Sequence, residues 1–335
     1  MSSRWLLVLP DDSAIAVLEA IENASRSLRV KMFAFSEPVL LEALIGARRR
    51  GVKVQVILNA ARRNGEEQNG EVRSALVRAG IEVRDGNPAF ALTHEKSMVV
   101  DEETAFVQSF NWTLKNLTET RDYAVVTSRP REVREIAQGF EADWHRQRFS
   151  PGRESHLVWS PGARDRIAEL IDDARESLFL QNERYQDPLI IERLVRAALR
   201  GVKVRVMARP PQTLKVGKLV EAVSGLRILD DIGIKVHGLE RYKLHGKMLL
   251  ADGVAAIVGS TNLTPGSLDD RRELSIVVRD GTVVQRLNDV VHADWDSSYR
   301  LDLSEKSLLA DLKERVEAAE KLAIRRDREP DDRAA

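Results

Sequence analysis

Thr93-His94-Glu95-Lys96-Ser97-Met98-Val99-Val100-Asp101 and Leu244-His245-Gly246-Lys247-Met248-Leu249-Leu250-Ala251-Asp252 carry most of the information about this chain's architecture. Each places a histidine and a lysine two positions apart, then an apolar run, then an aspartate. Alternate residues of a strand share a face, so His94 points the same way as Lys96, and His245 the same way as Lys247. Asp252-Gly253 is a hairpin signal, and Asp101-Glu102 stands in the same place in the first copy. The chain returns through residues 105–107 and 256–258 to Gln108-Ser109-Phe110-Asn111 and Gly259-Ser260-Thr261-Asn262. A turn centred between Glu102 and Glu103 sets His94 opposite Asn111 and Lys96 opposite Ser109. About Gly253 and Val254, the same construction sets His245 opposite Asn262 and Lys247 opposite Ser260. Each copy then gathers an imidazole, an ammonium, a hydroxyl and an amide, and two copies across a twofold axis would flank one oxyanion.

The repetition extends in both directions. Ala24-Ser25-Arg26-Ser27-Leu28 resembles Ala174-Arg175-Glu176-Ser177-Leu178, and Gly51-Val52-Lys53-Val54 recurs as Gly201-Val202-Lys203-Val204, both 150 residues later. Gly80-Ile81-Glu82-Val83 recurs as Gly233-Ile234-Lys235-Val236. From His94 and His245 through Asn111 and Asn262 to Trp144 and Trp295 the offset is 151. The chain is a duplication. Apolar spacing predicts helices over 11–27, 38–50, 71–79 and 132–146 and strands over 28–35, 52–58 and from 81 in the first copy. In the second it predicts helices over 164–176, 188–200 and 283–295 and a strand over 202–207. This alternation predicts an α/β fold of two homologous α/β/α sandwich halves packed about a pseudo-twofold axis, plus a C-terminal helix. The halves are expected at 1–150 and 151–302, with the break near 149–161 where Ser150-Pro151-Gly152 and Ser160-Pro161-Gly162 interrupt regular structure. Residues 303–335 are expected to form an amphipathic helix over 304–324, with Leu308, Leu312, Val316 and Leu322 on one side, and then a disordered charged tail. Packing is the favoured use of that helix, and a membrane-surface or oligomer contact the alternative.

Composition narrows the chemistry. With 52 Lys+Arg against 52 Asp+Glu there is no global pull toward nucleic acid or anionic lipid. With 0 Cys, thiolate catalysis, Cys-ligated zinc and iron–sulfur clusters are excluded. The apolar run from Trp5 to Leu9 is too short for a secretory core or a membrane span, so the protein is expected in the cytoplasm, at most peripheral to a membrane. Trp144 and Trp295 are read as core, His145, His156 and His292 as ordinary, and His237 as a lesser candidate for lining a cleft.

His-x-Lys-x-x-x-x-Asp followed by Ser-x-Asn, present twice, closely resembles the phospholipase D superfamily of phosphodiesterases. The resemblance covers nearly the whole chain to about Arg300. Ser109-Phe110-Asn111-Trp112-Thr113 resembles the branch that contains small nucleases and cardiolipin-synthase-like proteins. One departure is Gln108, where many members have the glycine that Gly259 supplies in the second copy. The resemblance implies that one histidine attacks phosphorus to form a phosphohistidine while the other protonates the departing alcohol and then activates water. It favours His94 as nucleophile and His245 as acid, although the residues themselves leave both assignments open. Lys96 and Lys247 would neutralise the non-bridging oxygens, and Ser109, Asn111, Ser260 and Asn262 would donate hydrogen bonds to them. No metal or other cofactor is required. Asp122 and Glu273, matched at the same offset, occupy the place where the family keeps an acidic residue to orient a histidine. Asp101 and Asp252 have the opposite strand parity from their histidines and are read as turn carboxylates.

The resemblance implies a phosphodiester substrate, with phospholipid headgroup hydrolysis or transfer the favoured reading. Pro210-Pro211 and residues 265–268 are candidate loops on an apolar approach. The alternative is a metal-independent nuclease, for which Arg62, Arg63, Arg209, Lys215, Lys218, Arg241 and Lys243 would supply a basic track. An inactive phosphate-binding module is the least favoured reading, because neither copy has lost its His or Lys. A monomer with an internal pseudo-dimer is expected.

Overall fold

Proline and glycine set the limits of the helices that the apolar spacing predicts. In the computed structural model, which describes residues 3–60, 69–152, 155–214 and 219–326, Pro38 and Pro188 open equivalent helices at the first turn, where a missing N–H costs nothing. Gly51 and Gly201, both with φ near +90°, follow the ends of those helices. The Arg48-Arg49-Arg50 run closes the first of them, and Arg50 donates to the carbonyl of Ile21 at 3.0 Å. Its counterpart Arg200 donates to Ile171 O at 3.0 Å.

The first copy runs β1 (Arg4–Leu9), α1 (Ile15–Glu22), β2 (Ser27–Met32), α2 (Pro38–Arg49), β3 (Lys53–Leu58), α3 (Gly70–Arg78), β4 (Glu82–Asp85), β5 (Ser97–Val100), β6 (Thr104–Gln108), α4 (Leu114–Thr118), β7 (Thr120–Thr127) and α5 (Pro130–Trp144). The second runs β8 (Leu157–Ser160), α6 (Ala163–Asp173), β9 (Ser177–Gln181), α7 (Pro188–Leu199), β10 (Lys203–Met207), α8 (Leu219–Asp231), β11 (Lys235–Gly238), β12 (Lys243–Leu244), β13 (Met248–Ala251), β14 (Ala255–Gly259), α9 (Pro265–Asp269), β15 (Glu273–Val278), α10 (Gly281–Asp296) and β16 (Tyr299–Arg300), before α11 (Glu305–Arg326). The sheets have equivalent orders, β1-β7-β6-β5-β2-β3-β4 and β8-β15-β14-β13-β9-β10-β11, with β16 added beyond β11. β2, β3 and β4 are parallel, as are β9, β10 and β11, and the remaining neighbours within each order are antiparallel. β12 leaves its own half and pairs in parallel with β7 of the other.

The outer face of the first sheet packs Val30 and Val56 on Val17, Ile21 and Leu44, and the outer face of the second packs Leu180 and Val206 on Ile167, Ile171 and Leu194. Between the sheets lies a shared core, where Val8, Val107 and Val125 meet Val258, Ile276 and Leu287 together with residues of α5 and α10. The halves are thus α/β/α sandwiches joined through their inner faces. Arg129 and Asp280, 151 residues apart, form an ion pair with each other. Two equivalent residues meet in this way only close to the pseudo-twofold axis. Leu308 and Leu312 of α11 pack on the outer core of the second half, whereas Val316 is half exposed. The tail from residue 327 lies outside the described residues. No helix among the described residues is long and apolar enough to cross a membrane.

The hairpin register differs by one residue from the expected one. Ser97 faces Val107 and Met248 faces Val258, and the N–H of Gln108 donates to Lys96 O at 2.9 Å, so Lys96 lies beside Gln108 rather than Ser109. His94–Asn111, His245–Asn262 and Lys247–Ser260 fail as facing pairs for the same reason. The turns are three residues long, with Asp101 and Glu102, and Asp252 and Gly253, at positive φ. The aspartates dictate this shape. Asp101 accepts the N–H groups of Ser25, Arg26 and Ser27 at 2.7–2.9 Å, and Asp252 those of Arg175, Glu176 and Ser177 at 2.8–2.9 Å. Each hairpin is thereby tied to the start of the neighbouring strand.

Gly259 stands where β14 passes so close to β15 that an added Cβ would overlap the Leu274 carbonyl and Ser275 Cα. In the first half Gln108 occupies this place and turns its Oε1 to Trp112 Nε1 at 3.0 Å. Gly259→Ala should therefore destabilise the fold by about 2–4 kcal/mol. Gly281→Ala, at an open position on α10, should be neutral or stabilise by up to about 1 kcal/mol. Urea unfolding of the two variants checks this contrast.

Candidate active site

Each His-x-Lys segment is anchored by the opposite half. Arg272 O, at the entry to β15, accepts the N–H of both His94 and Glu95 at 2.9 Å, and Arg121 O accepts that of His245 at 3.3 Å and Gly246 at 2.7 Å. These bonds extend the pairing of Thr93 with Arg272 and of β12 with β7. The residue after each arginine is the acidic one, so each carboxylate lands beside the other half's histidine. His94 Nδ1 donates to Glu273 Oε2 at 2.8 Å, and His245 Nδ1 lies 2.9 and 3.0 Å from the two oxygens of Asp122. Each carboxylate thus serves the histidine of the opposite half. With Nδ1 engaged, Nε2 of each ring is the nitrogen left for a substrate.

Hydroxyls hold the two carboxylates. Ser109 Oγ donates to Asp122 Oδ1 at 2.5 Å and Thr120 Oγ1 to Oδ2 at 2.6 Å. Ser267 Oγ donates to Glu273 Oε1 at 2.6 Å. Residues 265–268, expected as an approach loop, form most of α9, which Thr264 caps by accepting the N–H of Ser267. The hydroxyl of Ser109 is thus spent on Asp122 rather than on a ligand, because its backbone is bonded to Tyr123 across the β6–β7 junction. Ser260 exchanges hydrogen bonds with the Leu274 backbone. Asn111 Oδ1 accepts the N–H of Ala34 at 3.2 Å, whereas Asn262 keeps a buried Oδ1 without a partner.

Lys96 and Lys247 both donate to the carbonyl of the histidine two residues before them. Their surroundings differ. Phe33 stands edge-on to His94 at 4.7 Å between centroids, and its ring lies 5.1 Å from Lys96 Nζ. In the other half Glu183 Oε2 lies 3.1 Å from Lys247 Nζ and 3.8 Å from His245 Nε2, while its Oε1 accepts from Arg209 at 3.2 Å. Burial lowers His94 to about 3, assisted by Lys96 and Lys247 and opposed by Glu273. Burial also holds Lys96 well below its ordinary 10.5, against the attraction of Glu273. Against the upward push of burial, Lys247, His245 and Arg209 keep Glu183 far below the usual carboxylate range. Asp122 is lowered mainly by His245, and Glu273 mainly by His94, again against burial. Lys247 adds to the lowering of both His94 and Lys96, so the charge of one segment bears on the other.

Behind the motifs lie residues that sequence reasoning missed. Arg272 donates to both oxygens of Asp143 at 2.8 and 3.0 Å, and Arg121 to both oxygens of Asp294 at 2.9–3.3 Å. Lys31 bridges Glu95 at 2.9 Å and Asp143 at 2.5 Å. The 151-residue offset that found the motifs also matches Arg121 to Arg272 and Asp143 to Asp294, and was the available signal. Glu183 had none, because its counterpart at the 150-residue offset is Phe33. His237 stacks on Trp295 at 4.0 Å and bonds Ser298, outside the site. Of the expected basic track, Arg62, Arg63, Lys215 and Lys218 lie outside the described residues. Lys243 is paired with Glu119 at 2.6 Å, and Arg241 sits 5.0 Å over Tyr242.

A family model described as "Cardiolipin synthase, PLD-like domain" matches residues 17–144 and again residues 167–295. Cardiolipin synthase B of Salmonella typhi is 27% identical over 321 residues, covering 82% of this chain and 76% of that protein. Phosphatidylserine synthase of Haemophilus influenzae superposes with a TM-score of 0.70 at 12% identity, over 96% of this chain and 94% of the other. Polyphosphate kinase of Porphyromonas gingivalis gives a TM-score of 0.70 at 17% identity, over 94% of this chain but 53% of the kinase. At these identities the structural matches concern the fold.

The lowered His94 links stability to pH. Its value falls from 6.5 to about 3 on folding, so between those limits the unfolded chain binds a proton that the folded chain refuses. Stability complete above pH 6.5 should then fall with acidification, by about 1.4 kcal/mol per pH unit for this group. His94→Asn keeps a donor toward Glu273 but removes the titration. Its unfolding free energy should decline less steeply than wild type from about pH 7 to 5; parallel curves would contradict a neutral His94.

Proposed function

We propose, from this chain's membership of the phospholipase D-like family to which both of its halves belong, that it hydrolyses or transfers phospholipid headgroups through a phosphohistidine. The observation that carries this reading is the exchanged pairing of two histidines with two carboxylates around two lysines. A neutral His94, with Nδ1–H on Glu273, has its Nε2 lone pair free to attack phosphorus. As the P–Nε2 bond forms, the bond from phosphorus to the headgroup oxygen breaks, and His245 Nε2 gives that oxygen its proton. His245, now neutral, takes a proton from water or an acceptor alcohol, whose oxygen displaces Nε2 of His94. Lys96, Lys247 and the amides of Asn111 and Asn262 stabilise the charge on the non-bridging oxygens. Asp122 and Glu273 act by fixing ring orientation and tautomer.

Phospholipid is favoured over nucleic acid on two grounds. Of the described candidates Arg209, Arg241 and Lys243, Arg209 and Lys243 already face carboxylates, which leaves less free positive charge for a polyanion. Val39, Leu114 and Leu189 are exposed at 55%, 65% and 51%, at the starts of α2, α4 and α7, which follow the strand ends carrying the site. Apolar side chains there suit peripheral contact with a lipid surface. The relatives' names, a cardiolipin synthase and a phosphatidylserine synthase, agree with this choice.

In a chelator-containing buffer with labelled single-stranded DNA and phospholipid vesicles together, the protein should release phosphatidic acid and spare the DNA. DNA cleavage without lipid turnover would reverse the substrate assignment. His94→Ala should reduce turnover to background and His245→Ala by about 10²-fold or more. With an aryl phosphodiester, whose leaving group needs no acid, His245→Ala should accumulate phosphate on residue 94. Label on His245 of the His94→Ala protein would exchange the two roles.

A further inference from the structure

Glu183 breaks the pseudo-symmetry of the site at its most sensitive point. β2 and β9 are equivalent strands, and the residues just beyond their C-terminal ends, where α/β sheets place ligands, include Phe33 and Glu183. Phe33 gives the His94 side an aromatic wall. Glu183 puts a carboxylate against His245 and Lys247. In a site that receives an anionic phosphodiester, a nearby carboxylate is repulsive. It also occupies a lysine that would otherwise face the phosphate. Something on the ligand must therefore benefit from it.

Being fully ionised, Glu183 only accepts hydrogen bonds. Its Oε2 is 3.8 Å from His245 Nε2, the nitrogen that must lie within hydrogen-bond reach of the departing or attacking alcohol oxygen. A second hydroxyl on the neighbouring carbon of that alcohol would fall beside Glu183. A cationic headgroup suits this place less, because Arg209 and Lys247 both sit against the same carboxylate, at 3.2 and 3.1 Å.

We propose that Glu183, braced by Arg209, is the specificity-determining residue for the alcohol side of the reaction, accepting a hydrogen bond from a neutral polyhydroxy alcohol such as a glycerol unit. The His94 side, walled by Phe33, then holds the phosphorus and its remaining ester, and the His245 side holds the exchanging alcohol. This rests on the phosphohistidine reading above and extends it to the choice of alcohol.

The test uses partition of the intermediate, with a chromogenic aryl phosphodiester as donor and equal concentrations of glycerol, propan-1-ol and ethanolamine as competing acceptors. The ratio of ester products is an internal comparison, insensitive to partial loss of folded protein. Wild type should favour the glycerol ester over the propyl ester. Glu183→Gln, which keeps the shape but weakens the acceptor, should lower that ratio about tenfold or more, the worth of a hydrogen bond to a charged group. An unchanged ratio would overturn the proposal, as would a wild-type preference for ethanolamine. If wild type turns over the aryl diester but not phospholipid vesicles, the lipid reading fails while the ratio still reports on Glu183. If neither donor reacts, both proposals fall.

Discussion

Two backbone carbonyls, those of Arg121 and Arg272, hold the chemistry of this molecule in place. Each accepts N–H groups from the opposite half's histidine and the residue after it. Without them the motifs would lose their register against β7 and β15, and each imidazole would lose the carboxylate on its Nδ1. Neither half is therefore a complete site. The same arginines reach further with their guanidinium groups, Arg121 to Asp294 and Arg272 to Asp143, on the helices that close the opposite halves. Buried ion pairs contribute little net stability, because desolvating both partners offsets their attraction. Here they supply register, fixing how one sandwich sits on the other.

The symmetry of the frame is broken where the two sides of the site have different work. Lys31, Glu95, Asp143 and Arg272 form a buried neutral quartet behind His94. Behind His245 the lysine position holds Gln181, which donates to Asp294 at 2.8 Å and accepts from Tyr123 Oη at 2.6 Å. Tyr123 fills the space left by Gly246, where a Cβ would come within 2.8 Å of its ring. One ion pair has been exchanged for an amide and a phenol without leaving charge unbalanced. Volume is conserved by trading a side chain on one strand for its absence on the next.

Much of this was legible in the sequence, and the limits are instructive. The duplication, the alternation of helices and strands, and the His, Lys, Asp122 and Glu273 positions all appear as matched residues in the two copies. The facing pairs in the hairpins were misplaced by one, since Asp101 and Asp252 demand a three-residue turn with two left-handed residues, and no pattern of apolar residues records a turn's length. The exchanged pairing was hidden for another reason. Offset matching shows that Asp122 and Glu273 are equivalent, but equivalence is silent on whether each serves its own half or the other. That choice is made by long-range backbone bonds to Arg121 and Arg272. Ser109 was assigned to the ligand on residue type and position alone, whereas the tight β6–β7 junction gives its hydroxyl to Asp122.

The charge state of the site follows from the same burial that builds it. His94 is too enclosed to take a second ring proton, and Lys96, fully buried beside it, is held well below its ordinary value. Among these groups, every resolved shift runs the same way: His94, Lys96, Asp122, Glu183 and Glu273 are all lowered. The folded site thus binds fewer protons than the unfolded chain, and acid works against it from several positions at once. For His94 this has a chemical use, since a nucleophile must be unprotonated. For Lys96 burial weakens the hold on the ammonium proton, and an anion at the phosphate position strengthens it. The arriving phosphodiester supplies negative charge that favours the ammonium, so substrate binding and the electrostatics needed for transfer are two sides of one equilibrium.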